Sequence, residues 1–143
     1  LIRVCRKTLT GTRMECLEIH TPKTIIDWLP LTQADDTLAP KKSVVRCRCC
    51  NGYITENQFL IPVDGECIHF FKNPAGQGFD IQTWAMAEGC IVSGKPSEFF
   101  TWFPGHAWQY AYCRQCNTHL GWYFSCDGGA GFFGLIIDLL LLE

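Results

Sequence analysis

Three features of the sequence predict an all-β domain of two packed antiparallel sheets pinned by one metal centre. From Ser43 onward, short runs rich in β-branched and aromatic residues recur. Turn-forming clusters of Gly, Pro, Asn and Asp separate them. Two Cys-x-x-Cys pairs, Cys47/Cys50 and Cys113/Cys116, frame the stretch. No segment sustains a helical period, so helices are not expected.

The elements follow in chain order. Residues 1–42 hold Cys5, Cys16, the apolar stretch Ile25–Pro30 and the polar segment Thr32–Lys42. With no clear period and no repeat, they read as a strand or two and a linker, an N-terminal extension to a domain spanning 43–143. Strands are expected at Ser43–Cys47, Asn57–Val63, Cys67–Phe71, Asp80–Met86, Cys90–Ser93, Phe99–Trp102, Gln109–Cys113 and Leu120–Ser125. Turns at Asp64-Gly65, Asn73-Pro74-Ala75-Gly76, Gly94-Lys95-Pro96, Pro104-Gly105 and Asp127-Gly128-Gly129 divide them. The apolar tail from Phe132 to Glu143 is too short to cross a bilayer and is interrupted by Asp138, so it reads as a buried closing strand.

Charge and length exclude several classes. The formal net charge is −2 and no basic block is present, so a nucleic-acid partner lacks the electrostatic footprint it requires. No run is long enough for a membrane helix, and no membrane partner is expected. The chain opens at Leu1 with neither a charged nor an apolar leader segment, so no targeting signal is expected within it.

Two Cys-x-x-Cys turns are an economical way to give one Zn²⁺ four thiolates, each sulfur about 2.3 Å from the metal. Both pairs sit beside Arg and enter or leave a strand-like run. Disulfides are the competing reading of a chain with ten cysteines. A bridge within a Cys-x-x-Cys turn is strained and redox-active, so a single structural zinc on Cys47, Cys50, Cys113 and Cys116 is the expectation.

Five tryptophans exceed what a small core needs. Trp28 and Trp84 read as core. The block Thr101-Trp102-Phe103-Pro104-Gly105-His106-Ala107-Trp108 is different, because Pro-Gly reverses the chain and lets Trp102 and Trp108 face one another across a loop. Just beyond the second cysteine pair comes Trp122, and strand alternation puts Phe124 on its face. Gly121 lets some group approach the backbone there. A flat heterocycle with one donor edge and two acceptors suits such indole walls and a fixed backbone edge.

From about Cys47 to Leu135 these residues resemble the thalidomide-binding (CULT) domain family of cereblon. The resemblance is carried by both cysteine pairs, Asn73-Pro74, Ala87–Cys90 followed by Gly94-Lys95-Pro96-Ser97, the Trp102–Trp108 block, His119-Leu120-Gly121-Trp122 with Phe124, and Phe133-Gly134-Leu135. It implies a β-tent fold, a structural Cys₄ zinc and a pocket walled by Trp102, Trp108 and Trp122. That pocket takes cyclic imides: glutarimide, thalidomide-type drugs and cyclised peptide C-termini. Backbone groups of Phe100 and Trp102 are implied to read the imide edge, with Phe124 at the base and Asn73 and Pro74 at the rim. Phe100 stands where the family has His, Ala75 replaces a rim His, and two extra residues fall between Asn73 and Cys90. The first 46 residues do not resemble the family's Lon-like or adaptor-binding regions, so a ubiquitin-ligase adaptor is not an expected partner. The chain reads as a free-standing member, a form commonly secreted.

Two other readings compete. A three-aromatic box also attracts a methylated ammonium through cation–π interaction. The run Cys113-x-x-Cys116-x-x-His119-Leu120-Gly121 also resembles B-type methionine sulfoxide reductases, but those carry His where Trp122 stands, and Cys126 has no basic neighbour to activate it. Yippee-type zinc proteins share Leu-Gly-Trp but lack the Pro-Gly block. A binding module rather than an enzyme is therefore expected. Among the remaining residues, His119 reads as a buried or hydrogen-bonded side chain, His106 as solvent-facing at its turn tip, and His20 and His69 carry no pattern. Cys49, Cys67, Cys90 and Cys126 join Cys5 and Cys16 as unassigned thiols or disulfides.

Overall fold

The computed structural model describes residues 42–143. Trp28, Cys5, Cys16, His20 and all but Lys42 of the expected N-terminal extension lie outside the described residues. Nine strands follow: β1 (Val44–Cys47), β2 (Tyr53–Glu56), β3 (Ile68–Lys72), β4 (Gly78–Trp84), β5 (Cys90–Ser97), β6 (Ala107–Cys113), β7 (His119–Ser125), β8 (Phe132–Ile136) and β9 (Leu140–Leu142). They form a three-stranded sheet in the order β2-β1-β9 and a six-stranded sheet in the order β3-β4-β8-β7-β6-β5. Every described pairing is antiparallel. The only helical turns among the described residues are two short 3₁₀ segments, Asn57–Phe59 and Ile137–Leu139. The fold class is the expected one.

Several boundaries differ from expectation for physical reasons. Asn57–Val63 is not a strand; it opens with a 3₁₀ turn and pairs with the large sheet through an isolated bridge from Leu60 to Trp84, with the Thr83 hydroxyl donated to the Ile61 carbonyl at 2.6 Å. The strand lies just before it, at Tyr53–Glu56, where only four residues carry the pattern. Phe99–Trp102 is a turn because Phe100 is left-handed, with φ 52°. The apolar tail is divided between the sheets: β8 pairs inside the large one, and β9 pairs with β1 in the small one. A tail that closes both sheets must be apolar throughout, which explains why no alternation was visible in it.

Two cores result. Val45, Ile54, Trp84, Leu120, Leu135 and Leu140 pack together with Cys47 and Cys113. Trp84 is therefore core, as its sequence context indicated. Val63, Ile81, Phe103, Phe124 and Phe132 form the second cluster. Its rings meet edge to face, Phe103 against Phe124 at 4.8 Å and against Phe132 at 5.0 Å, a geometry worth about 0.5–1.5 kcal/mol per pair beyond burial.

His106 departs from the sequence expectation. It is only 3 % exposed, because the Pro104-Gly105 turn doubles back with the His106 N–H donated to the Phe103 carbonyl. Its ring lies edge-on to Phe132 at 5.4 Å, so the tip of this turn plugs the core. His69 likewise has a place, stacked on Phe71 at 5.7 Å.

Gly121 does admit a close backbone neighbour, and that neighbour is strand β8. A Cβ on Gly121 would meet the Gly134 carbonyl oxygen at 2.1 Å. Gly121→Ala must separate β7 from β8, and we expect it to destabilise the domain by at least about 2 kcal/mol in denaturant titration. Gly65→Ala is the contrast: a Cβ there would meet nothing within 4 Å, and only the positive φ opposes the change. Equal stability of Gly121→Ala and the unaltered chain would contradict the tight β7–β8 approach.

Candidate functional site

The two cysteine pairs fold into matching turns. In the first, Asn51 N–H reaches Cys47 C=O at 2.8 Å, and Cys47 N–H reaches Gly52 C=O at 2.9 Å. In the second, Asn117 N–H reaches Cys113 C=O at 2.9 Å and Cys113 N–H reaches Thr118 C=O at 2.8 Å. Asn51 and Asn117 are both left-handed, at φ 59° and 62°, a conformation Asn tolerates better than most residues. Each turn thus presents both of its sulfurs on one side.

Because β1 belongs to the small sheet and β6 to the large one, the pairs meet between sheets. All four Sγ atoms lie within 4.8 Å of one another. Cys47 and Cys116 sulfurs are 3.7 Å apart, and Cys50 and Cys113 sulfurs 3.6 Å. A tetrahedron with metal–sulfur bonds of about 2.3 Å has edges of about 3.8 Å, while a disulfide is about 2.05 Å long. The spacing fits ligands of one zinc, and the four cysteines form a candidate structural zinc site.

The proton chemistry points the same way. Thr118 donates to the Cys116 sulfur and, with its backbone N–H, pulls that thiol down to about 6. The Gly52 N–H also favours a Cys50 thiolate, but burial and the crowd of neighbouring sulfurs push Cys50 up to about 12. Four thiols this close cannot all ionise unaided, and a divalent cation is what relieves them.

The aromatic residues build a second feature, a cavity of about 480 Å³. Trp102, Trp108, Trp122, Phe100, Asn73, Pro74 and Phe124 all line it. Register explains much of this. Trp108 pairs with Phe124 across β6 and β7, and Tyr110 pairs with Trp122, so one face of these two strands is aromatic throughout. Phe124 is buried and forms the floor, continuous with the second core cluster.

Trp102 enters from the turn. Its ring stacks on Phe71 at 5.1 Å and meets Trp122 edge-on at 4.6 Å. Trp102 and Trp108 line the same cavity but make no ring contact among those described. Each indole N–H ties the turn to a strand end: Trp102 Nε1 donates to the Lys72 carbonyl at 3.0 Å, and Trp108 Nε1 to the Phe99 carbonyl at 2.8 Å. At the rim, Asn73 Oδ1 accepts from the Gln77 N–H at 2.9 Å and closes the β3–β4 loop. The peptide groups of Phe100 and Trp102 carry none of the hydrogen bonds among the described residues.

Sequence reasoning did not find Gln77, Phe79, Phe99, Tyr110 and His119, which also line the cavity. Tyr110 was accessible from strand alternation with Trp108; Phe79 required the β3–β4 register. His119 Nε2 donates to the Gly121 carbonyl at 2.8 Å, and its ring meets Trp122 edge-on at 5.1 Å. Burial lowers its pKa, so it stays neutral at physiological pH. It braces Trp122 rather than joining the sulfurs.

Comparison with known proteins finds similarity to cereblon. The chain is similar to cereblon of Danio rerio, 42% identical over 55 residues, covering 38% of this chain and 13% of the relative. It is 32% identical over 95 residues to cereblon of Drosophila virilis, covering 64% of this chain and 15% of the relative. Cereblon of Gallus gallus is 42% identical over 55 residues, with 38% and 12% covered. The chain therefore matches about an eighth to a seventh of the length of these relatives. No family model matches it. The matches support a cereblon-like domain, and the four-cysteine cluster supports zinc binding.

Since the sulfurs join the sheets, metal loss and unfolding should be one event. Cys113→Ser should release zinc, measured by a chromogenic chelator, and abolish the cooperative thermal transition of the unaltered chain. A Cys113→Ser protein that keeps its near-ultraviolet signal in excess chelator would show that the metal is not structural.

Proposed function

We propose that this cereblon-like domain is a zinc-stabilised binding module whose tri-tryptophan cavity takes a cyclic imide, either a small molecule or a cyclised peptide C-terminus. One observation carries the reading. Three indoles line a single cavity beside two peptide groups, those of Phe100 and Trp102, that have no hydrogen-bond partner among the described residues. An imide offers one N–H between two carbonyls, a complement to such a backbone edge, and its flat ring lies against the indole walls.

The lining favours this over the alternatives. No Asp or Glu lines the cavity, so a methylated ammonium would lose hydration without gaining a countercharge. No thiol lines it either, which speaks for a binding role over a sulfoxide reductase. Residues 43–143 are proposed as the binding domain and residues 1–42 as its extension, with secretion as the proposed localisation. A ubiquitin-ligase adaptor is not among the proposed partners.

The discriminating measurement compares glutarimide, N-methylglutarimide and a trimethyl-lysine peptide by intrinsic tryptophan fluorescence and by thermal shift. N-methylation removes the donor, leaves a buried acceptor unpaired at about 1–3 kcal/mol, and adds bulk at the backbone edge. Glutarimide should therefore bind at least about tenfold more tightly than its N-methyl form. Trp122→Ala should abolish imide binding while zinc content and fold persist. An equal response to both imides, or a response to the ammonium alone, would reject the imide reading.

A further inference from the structure

We propose that Phe99 and Phe100 form an apolar lip that selects what the imide ring is attached to. The favoured ligand is a cyclised peptide C-terminus whose preceding residue is aromatic or large and aliphatic. This rests on the imide reading above and names its substrate class. Phe99 is 74 % exposed and Phe100 53 % exposed, yet both line the cavity. Large apolar side chains left uncovered beside a binding cavity mark a surface that a ligand completes.

The lip is held in place rather than loosely appended. The Phe99 carbonyl accepts the Trp108 indole N–H at 2.8 Å, and the Phe99 N–H is donated to Ser97 Oγ at 3.2 Å. Phe100 is left-handed at φ 52°, an uncommon state for a bulky side chain and one that persists where the surroundings impose it. The two rings sit 6.4 Å apart at 45° to each other, both exposed and both lining the cavity.

Size and charge indicate the occupant. At an upper figure of ~30 Å³ per heavy atom, a bare glutarimide fills at most roughly half of the cavity's 480 Å³. The rest of the space is left for whatever the ring is attached to, and the lining, which includes Phe99 and Phe100, contains no Asp, Glu, Lys or Arg. A charged side chain next to the ring would be desolvated over the lip without a partner. An apolar one would cover Phe99 and Phe100 and remove their exposed area from water.

The test uses zinc-loaded full chain and synthetic peptides ending in a cyclised glutarimide, with Phe, Leu, Asp or Lys immediately before the ring. Bare glutarimide is titrated alongside. The readout is the ratio of affinities for the Phe and Asp peptides, and for the Phe and Lys peptides, within one protein, so any loss common to all ligands cancels. The unaltered chain should prefer Phe and Leu by about tenfold or more over either charge, and Phe99→Ser combined with Phe100→Asn should bring both ratios to within about twofold. Asn is chosen because it tolerates the left-handed backbone of Phe100. A ratio near one in the unaltered chain, or a preference that survives the double substitution, overturns the lip while the imide reading stands. Failure of bare glutarimide to bind the unaltered chain overturns the imide reading and the lip with it.

Discussion

The meeting of two sulfur-bearing turns between two sheets is the constraint from which the rest of the molecule follows. The small sheet has only three short strands, and its outer members, β2 and β9, leave little area to bury against the six-stranded sheet. A core of that size is thin for a domain that must also hold open a cavity. Four thiolates on one cation replace missing apolar area with coordination energy, and they do so at the one place where β1 and β6 end side by side. Cys47 and Cys113 are themselves core residues, buried with Trp84 and Leu135. Metal centre and first core cluster are one structural unit.

The cavity depends on that unit indirectly. The second cysteine pair joins β6 to β7, and the same two strands supply Trp108, Trp122 and Phe124. Fixing the turn fixes the register, and fixing the register decides which aromatic residues share a face. The third indole comes from a turn that has no strand to hold it. Its position is set by two indole N–H bonds, one to Lys72 and one to Phe99, together with stacking on Phe71. The buried His106 anchors the far end of the same turn against Phe132. Its Nδ1 lies 3.4 Å from the Pro104 carbonyl, while its Nε2 is buried without a hydrogen-bond partner among the described residues.

Much of this was legible from residue types and spacing. The cysteine pairs specify a tetrahedral site because two-residue spacers leave few other geometries, and the alternation of Trp122 and Phe124 gives their common face. What was not legible depends on pairing across the chain. Phe79 reaches the cavity only through the β3–β4 register. The tail from Phe132 to Leu142 carried no period because its two halves serve different sheets. His106 was misplaced because a Pro-Gly turn suggests an exposed tip, whereas this tip folds inward. The strand over Phe99–Trp102 was a plausible reading of four apolar or β-branched residues, and local φ at Phe100 defeated it.

That last departure bears on why a turn, rather than a strand, should stand beside three indoles. In a strand, the N–H and C=O groups of Phe100 and Trp102 would be consumed by neighbours in the ladder. In the turn they remain unpaired among the described residues, at a wall where water can be displaced. Leaving a peptide group open costs stability only when it is buried dry, and both residues line the cavity, with Phe100 more than half exposed. A ligand that supplies the complementary donor and acceptors recovers those bonds in a less watery setting, where each is stronger. The left-handed Phe100, the tethering of Phe99 by Trp108 and the absence of a carboxylate in the lining then act together. They are the features on which the proposed neutral ring, read by backbone, is preferred to a cation read by aromatic faces alone.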